Sequence, residues 1–164
     1  MSEEKLYNVL FLCTYNSVRS IMAEVILNHV GRGKFKAFSA GSHPAGPNPI
    51  ALATLRQLGF PADELRSKSW DEFAQPGAPV MDFIFTLCDN AAREVCPVWP
   101  GRPITAHWGI EDPGSFAGTA EEKAREFERV ATILRRRIEQ FTSLPLADLD
   151  HASLEKKLKE IGKQ

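Results

Sequence analysis

Cys13 closes an apolar run, and Arg19 follows six residues later within Val9-Leu10-Phe11-Leu12-Cys13-Thr14-Tyr15-Asn16-Ser17-Val18-Arg19-Ser20. A thiol between a strand end and a helix start lies where the free N–H groups of the first helical turn converge and the helix dipole favours negative charge. The backbone of Thr14, Tyr15, Asn16, Ser17 and Val18, continuing into Arg19 and Ser20, would then form a cup for a tetrahedral oxyanion. The same field favours the thiolate, which is the attacking form. Arg19 adds a planar fork of donors able to hold two oxyanion oxygens at once. Ser20 can donate its hydroxyl to the sulfur, and Asn16 tolerates left-handed backbone angles and can brace the loop. Three cysteines and eleven arginines give about 0.2 chance matches to Cys-x5-Arg in such a chain, so spacing alone says little. The position between an apolar strand and a helix start gives the match its weight.

Thiolate attack on an oxyanion needs a proton for the departing oxygen. His107-Trp108-Gly109-Ile110-Glu111-Asp112-Pro113-Gly114 presents Asp112 in a loop shaped by proline and glycine. A carboxyl there, shielded by Trp108, suits a general acid. His107 is expected to pack or hydrogen-bond at a strand end rather than to react. Cys88 directly follows another apolar run, and Cys96 stands eight residues further on. The pair lacks both the Cys-x2-Cys spacing and the second ligand pair of a zinc site, so no metal is expected there. Beside a reactive Cys13, three thiols could pass a disulfide outward in two exchanges.

The elements that must position these residues alternate. Lys5 to Leu12 reads as a buried strand, and Ser17 to Val30 as a helix with Ile21, Met22, Val25, Ile26 and Val30 at helical spacing, stopped by Gly31 and Gly33. Phe35 to Ala40 reads as a second strand ended by Gly41. The proline-rich stretch Ser42 to Pro49 is a loop, leading into a helix to Leu58 capped by Asn48 and ended by Gly59. Val80 to Leu87 and Ile104 to His107 are further strands. Ala120 to Phe141 is a long amphipathic helix, with Thr119 and Glu122 as a capping box. Such alternation predicts an α/β fold: a single-domain, four-stranded parallel sheet covered by helices on both faces, in flavodoxin-like order. Ligands of such sheets sit beyond the carboxyl ends of the strands, so Cys13, Cys88 and Asp112 are expected on one edge. Residues 1–144 are assigned to the catalytic domain. Residues 145–164 form a charged tail, expected as a short helix with Leu154, Leu158 and Ile161 along one stripe and loosely docked.

The bulk properties are those of one compact globular domain: 164 residues, 43% apolar and 25% charged. A net charge of −1 gives no ground for a nucleic-acid or membrane partner. The start Met1-Ser2-Glu3-Glu4-Lys5 lacks the pattern of a signal peptide, and no apolar run approaches the ~20 residues of a membrane span. Three cysteines, an odd and small set, fit a reducing cytoplasm better than a disulfide scaffold.

The chain resembles the low-molecular-weight protein tyrosine phosphatases, and within that fold the thiol-coupled arsenate reductases. The resemblance runs from about Leu6 to Phe141. It rests on Cys-Thr-Tyr-Asn-Ser-Val-Arg-Ser with the following Met-Ala-Glu, on Ser39-Ala40-Gly41, on Cys88 and Cys96, and on His107-Trp108-Gly109 leading to Asp112-Pro113. It implies that Cys13 attacks arsenate held by Arg19 and the loop amides while Asp112 protonates the leaving oxygen. Cys88 and then Cys96 would carry the resulting disulfide to an external carrier, thioredoxin or else glutaredoxin with glutathione. The alternative it implies is a tyrosine phosphatase working through a Cys13 phosphoenzyme. No organic cofactor is implied. Some relatives hold potassium beside the cup, and Asn16, Glu24 and Ser39 match part of that site. A cytoplasmic monomer is expected. Tyr15 stands where phosphatases usually have glycine, which narrows access in favour of a small inorganic oxyanion. Val18 replaces a cysteine often found before the arginine. The Cys88 to Cys96 gap is one residue longer than is usual in thioredoxin-coupled enzymes.

Overall fold

The computed structural model describes residues 6–62, 65–89 and 99–164. The four strands are β1 (Tyr7–Leu12), β2 (Phe35–Ala40), β3 (Phe83–Thr86) and β4 (Ile104–His107). They form one sheet in the order β2-β1-β3-β4, all neighbours parallel. The α-helices of the described residues are α1 (Arg19–Val30), α2 (Pro49–Gln57), α3 (Ala120–Thr142) and α4 (His151–Ile161).

The central strand explains the layers. Successive residues of a strand point to opposite faces, and Val9 to Leu12 are all buried. Val9 and Phe11 join the larger core, with Phe35, Phe83, Phe85 and the apolar faces of the four helices. Leu10 and Leu12 join a smaller core with Ala40, Ile84, Trp70 and Phe73, the last two from a 3-10 turn at Trp70–Ala74. The larger core is stitched by aromatic rings: Phe85 stacks on Trp108 at 4.0 Å, and Phe141 meets both edge-on.

Register places the chemistry. Leu12 pairs with Ala40 and with Thr86, and Thr86 pairs with His107, so all four strands end on one level. Cys13, Gly41, Leu87 and Trp108 each take the next step off that edge.

Several boundaries differ from the sequence reading. The first helix starts at Arg19 rather than Ser17, because Ser17 gives its carbonyl to the amide of Asn48 and Val18 has non-helical angles. The third strand starts at Phe83: Val80 lies off the ladder and is half exposed. The caps are as read. Asn48 Oδ1 accepts from the amides of Ile50 and Ala51, and Thr119 and Glu122 form the reciprocal box. The tail is docked more firmly than its charge suggests. Leu154, Leu158 and Ile161 are buried in the main core, and the Trp108 indole donates to the Leu158 carbonyl at 2.8 Å.

Candidate active site

The cup is built by turning carbonyls outward. Thr14 O accepts from the amide of His43 (2.8 Å), Tyr15 O from Ala45 (3.0 Å) and Ser17 O from Asn48 (2.9 Å). Asn16 O accepts from the Ser67 hydroxyl. Across a trans peptide the next N–H points the opposite way, so the amides of Tyr15, Asn16, Ser17 and Val18 face inward. Val18, at the N-cap of α1, offers no side-chain acceptor to the helix. The first-turn amides are therefore not claimed by a capping side chain.

Asn16 bends the loop with φ at +45°, the one non-glycine residue with positive φ among the described residues. Its side chain is oriented without ambiguity. Asn16 Oδ1 accepts from the Lys68 amide at 2.8 Å, which only an oxygen can do, so Nδ2 is the group facing Ser20 Oγ at 2.8 Å. Ser20 Oγ must accept that bond, which leaves its own proton free to be donated to a Cys13 thiolate, whose Sγ lies 2.9 Å away. A hydrogen-bonded chain thus runs from the Lys68 amide through Asn16 and Ser20 to the sulfur.

The sulfur lies on the floor of a cavity of about 280 Å³. Cys13 is only 3% exposed, as suits the base of a narrow cup. Tyr15, Ser17, Val18, Arg19 and Asp112 line the same cavity with Ala45, Asn48, Gly114 and Ser115. Tyr15 is 56% exposed and forms part of the rim. Arg19 Nη1 donates to the Ile110 carbonyl at 2.9 Å, which anchors the guanidinium to the loop that carries Asp112. That loop is pinned in turn: the Ile110 amide donates to Leu87 O, and Arg137 donates to the carbonyls of Trp108 and Gly109. Arg137 is buried, and desolvation pulls its pKa below the usual arginine value.

Asp112 caps the turn Pro113–Ser115, accepting from the Gly114 amide at 2.9 Å and the Ser115 hydroxyl at 3.3 Å. Trp108 does not shield it, contrary to expectation. The indole is fully buried in the large core, and Tyr15, Gly114 and Ser115 wall the cavity with Asp112 instead. His107 bonds at the strand end as expected, through Nδ1 to Thr86 Oγ1 and Nε2 to Asp89 Oδ1.

Cys13 and Cys88 pack together as a separate apolar pair beneath the cup, both as thiols. Cys88 is 6% exposed, and its sulfur lies 3.4 Å from Thr14 Oγ1. Cys96 lies outside the described residues.

Two features are not readable from the local sequence. Gly41 passes so close to the cup that a Cβ there would meet Cys13 O at 2.4 Å and Thr14 O at 2.5 Å. Ser67 and Lys68 reach the loop from some fifty residues away. They also bear on potassium. Of the three candidate ligands, Asn16 Oδ1 is taken by the Lys68 amide, and Glu24 Oε1 accepts from Ser39 Oγ at 2.5 Å. The Lys68 ammonium lies 3.7 Å from that same Glu24 oxygen. Two of the three candidate oxygens are thus already occupied by N–H or O–H donors, and Glu24 also faces the chain's own cation, an arrangement that does not fit a potassium ion. Among the described residues no cluster of three His, Cys, Asp or Glu side chains could hold a metal, and no helix is long and apolar enough to cross a membrane.

The model of the low molecular weight phosphotyrosine protein phosphatase family matches residues 8–160. An arsenate reductase of Halalkalibacterium halodurans is 37% identical over 133 residues, covering 81% of this chain and 93% of its own. One from Bacillus licheniformis is 38% identical over 142 residues, covering 86% and 96%. Among solved structures, an arsenate reductase in the phosphate binding state superposes with a TM-score of 0.70 at 26% identity, over 84% of this chain and 97% of that one.

Proposed function

The chain belongs to the low molecular weight phosphotyrosine protein phosphatase family, and we propose that within it this protein reduces arsenate to arsenite at the expense of its own thiols. The observation that carries the reading is the packing of Cys88 against Cys13 beneath an oxyanion cup. Hydrolysis through a Cys13 phosphoenzyme runs on the cup, the arginine and the acid alone, whereas the relay requires a second thiol beside the nucleophile.

The Cys13 thiolate attacks arsenic(V) while the inward amides and the free face of Arg19 hold the oxygens. Asp112 gives its proton to the departing oxygen, which leaves as water, and a sulfur–arsenic bond forms. The Ser20 hydroxyl, fixed by Asn16, holds the thiolate in place before attack. The Cys88 thiolate then attacks Cys13 Sγ. A sulfur–sulfur bond forms, the sulfur–arsenic bond breaks, and its electron pair stays on arsenic, which departs as arsenite. The Thr14 hydroxyl stands where it can donate to Cys88 as that thiol ionises. Cys96 next attacks Cys88, releasing the Cys13 thiolate and leaving a Cys88–Cys96 disulfide. An external dithiol carrier of the thioredoxin type, or glutaredoxin with glutathione, returns two electrons. Tyr15 at the rim favours a bare inorganic oxyanion over a bulky ester.

Arsenate supplied with thioredoxin, thioredoxin reductase and NADPH, and in parallel with glutaredoxin and glutathione, is expected to consume NADPH in one of the two systems. Cys88→Ser and Cys96→Ser should each abolish turnover. Sustained turnover by both variants would remove the relay from the mechanism.

A further inference from the structure

Glu24 is largely buried on α1, and its Oε1 accepts a hydrogen bond from Ser39. A carboxylate taken out of water needs a countercharge close by. Lys68 supplies it. Its side chain is only 8% exposed, its ammonium lies 3.7 Å from Glu24 Oε1, and it donates to the Arg66 carbonyl at 2.8 Å. The same residue's backbone amide holds Asn16 Oδ1, the head of the donor chain that runs through Ser20 to Cys13.

We infer that the Lys68 ammonium is the resident monocation beside the oxyanion cup, standing in the place a bound potassium ion would take, and that it positions the cup through Asn16. A lysine ammonium is a compact point charge with donors that suit a carbonyl and a carboxylate at once. Tethered, it has no dissociation equilibrium of its own, so the cup is complete at any potassium concentration. Burial draws the Lys68 pKa below the usual lysine value, and Glu24 opposes that by favouring the charged form. The role belongs to the cup, and it holds whether the bound oxyanion is reduced or an ester is hydrolysed.

The test measures binding of inorganic phosphate by calorimetry, in potassium chloride and in choline chloride of equal ionic strength. It compares the wild type, Lys68→Met and the double variant Glu24→Gln/Lys68→Met. The wild type should bind within twofold in the two salts. Lys68→Met should bind at least tenfold more weakly in choline and recover at least threefold in potassium. The double variant has no charge left to neutralise and keeps an acceptor for Ser39, so it should bind within threefold of wild type in choline. A wild type that gains more than threefold from potassium overturns the inference. So does a Lys68→Met protein indifferent to potassium, or a double variant no better than the single one. If Lys68→Met does not fold, the wild-type salt comparison and the double variant decide the matter.

Discussion

Replacing Gly41 by alanine puts one methyl group against the outer wall of the cup. The added carbon would lie 2.4 Å from Cys13 O, 2.5 Å from Thr14 O and 3.0 Å from the Asn16 amide nitrogen. All three are backbone atoms and none can rotate away. The closest approach falls about 0.6 Å short of the nearest that real Cβ atoms tolerate, so the loop must move by at least that much. Gly41 cannot retreat instead, since its amide is bonded to Lys68 O and its carbonyl to the Trp70 amide. Overpacking of this kind costs about 1–3 kcal/mol in stability. The larger effect falls on function, because a displacement of roughly 1 Å at a reacting centre costs on the order of 100-fold. Phosphate affinity and the rate of Cys13 alkylation by iodoacetamide should therefore each fall between about tenfold and a hundredfold. Gly33→Ala is the control. Gly33 has φ of +86° and open space around it, far from the site, so alanine there costs about 1 kcal/mol of backbone strain and leaves both readouts alone. A Gly41→Ala protein that binds phosphate within twofold of wild type would refute the reasoning.

Asp112→Asn should slow formation of the sulfur–arsenic adduct by 10²–10⁴-fold in single-turnover assays, with phosphate affinity changed less than threefold, the order expected for loss of a general acid. Asn16→Ala loses the bonds to Ser20 and to the Lys68 amide and places alanine at positive φ. Urea denaturation should show a loss of about 2–4 kcal/mol. Arg137→Met removes bonds to the carbonyls of Trp108, Gly109 and Gln164. It should cost about 3 kcal/mol in the same assay, and it should slow the Asp112-dependent step, which the loop's position controls.

The cup was legible because it is local. Cys13 to Ser20 carry their own instructions: a turn residue at Asn16, a hydroxyl at Ser20, a fork at Arg19. What holds the cup from outside was not legible, because Gly41, Asn48, Ser67, Lys68 and Ile110 meet it only through the sheet. The helical spacing of the apolar residues that follow Ser17 points to a helix start there, yet its carbonyl is spent on Asn48, and that bond forms only in the folded chain. Val80 is β-branched and apolar, but among the described residues it pairs in no ladder, and β1 reaches its carbonyl only through the Asn8 side chain. Trp108 stands four residues before Asp112 and so invited a role at the acid. Being the next step off β4 instead sends its ring into the core against Phe85. The tail's charge masked the depth of its stripe, since three apolar positions suffice to seat a helix that keeps its lysines in water.

The bond from the Trp108 indole to the Leu158 carbonyl joins the last helix to the loop that delivers the proton. Ends of helices loosen before sheets do. Warming should then silence the acid while the four strands still stand, so catalysis fades some degrees below the temperature at which the aromatic core comes apart.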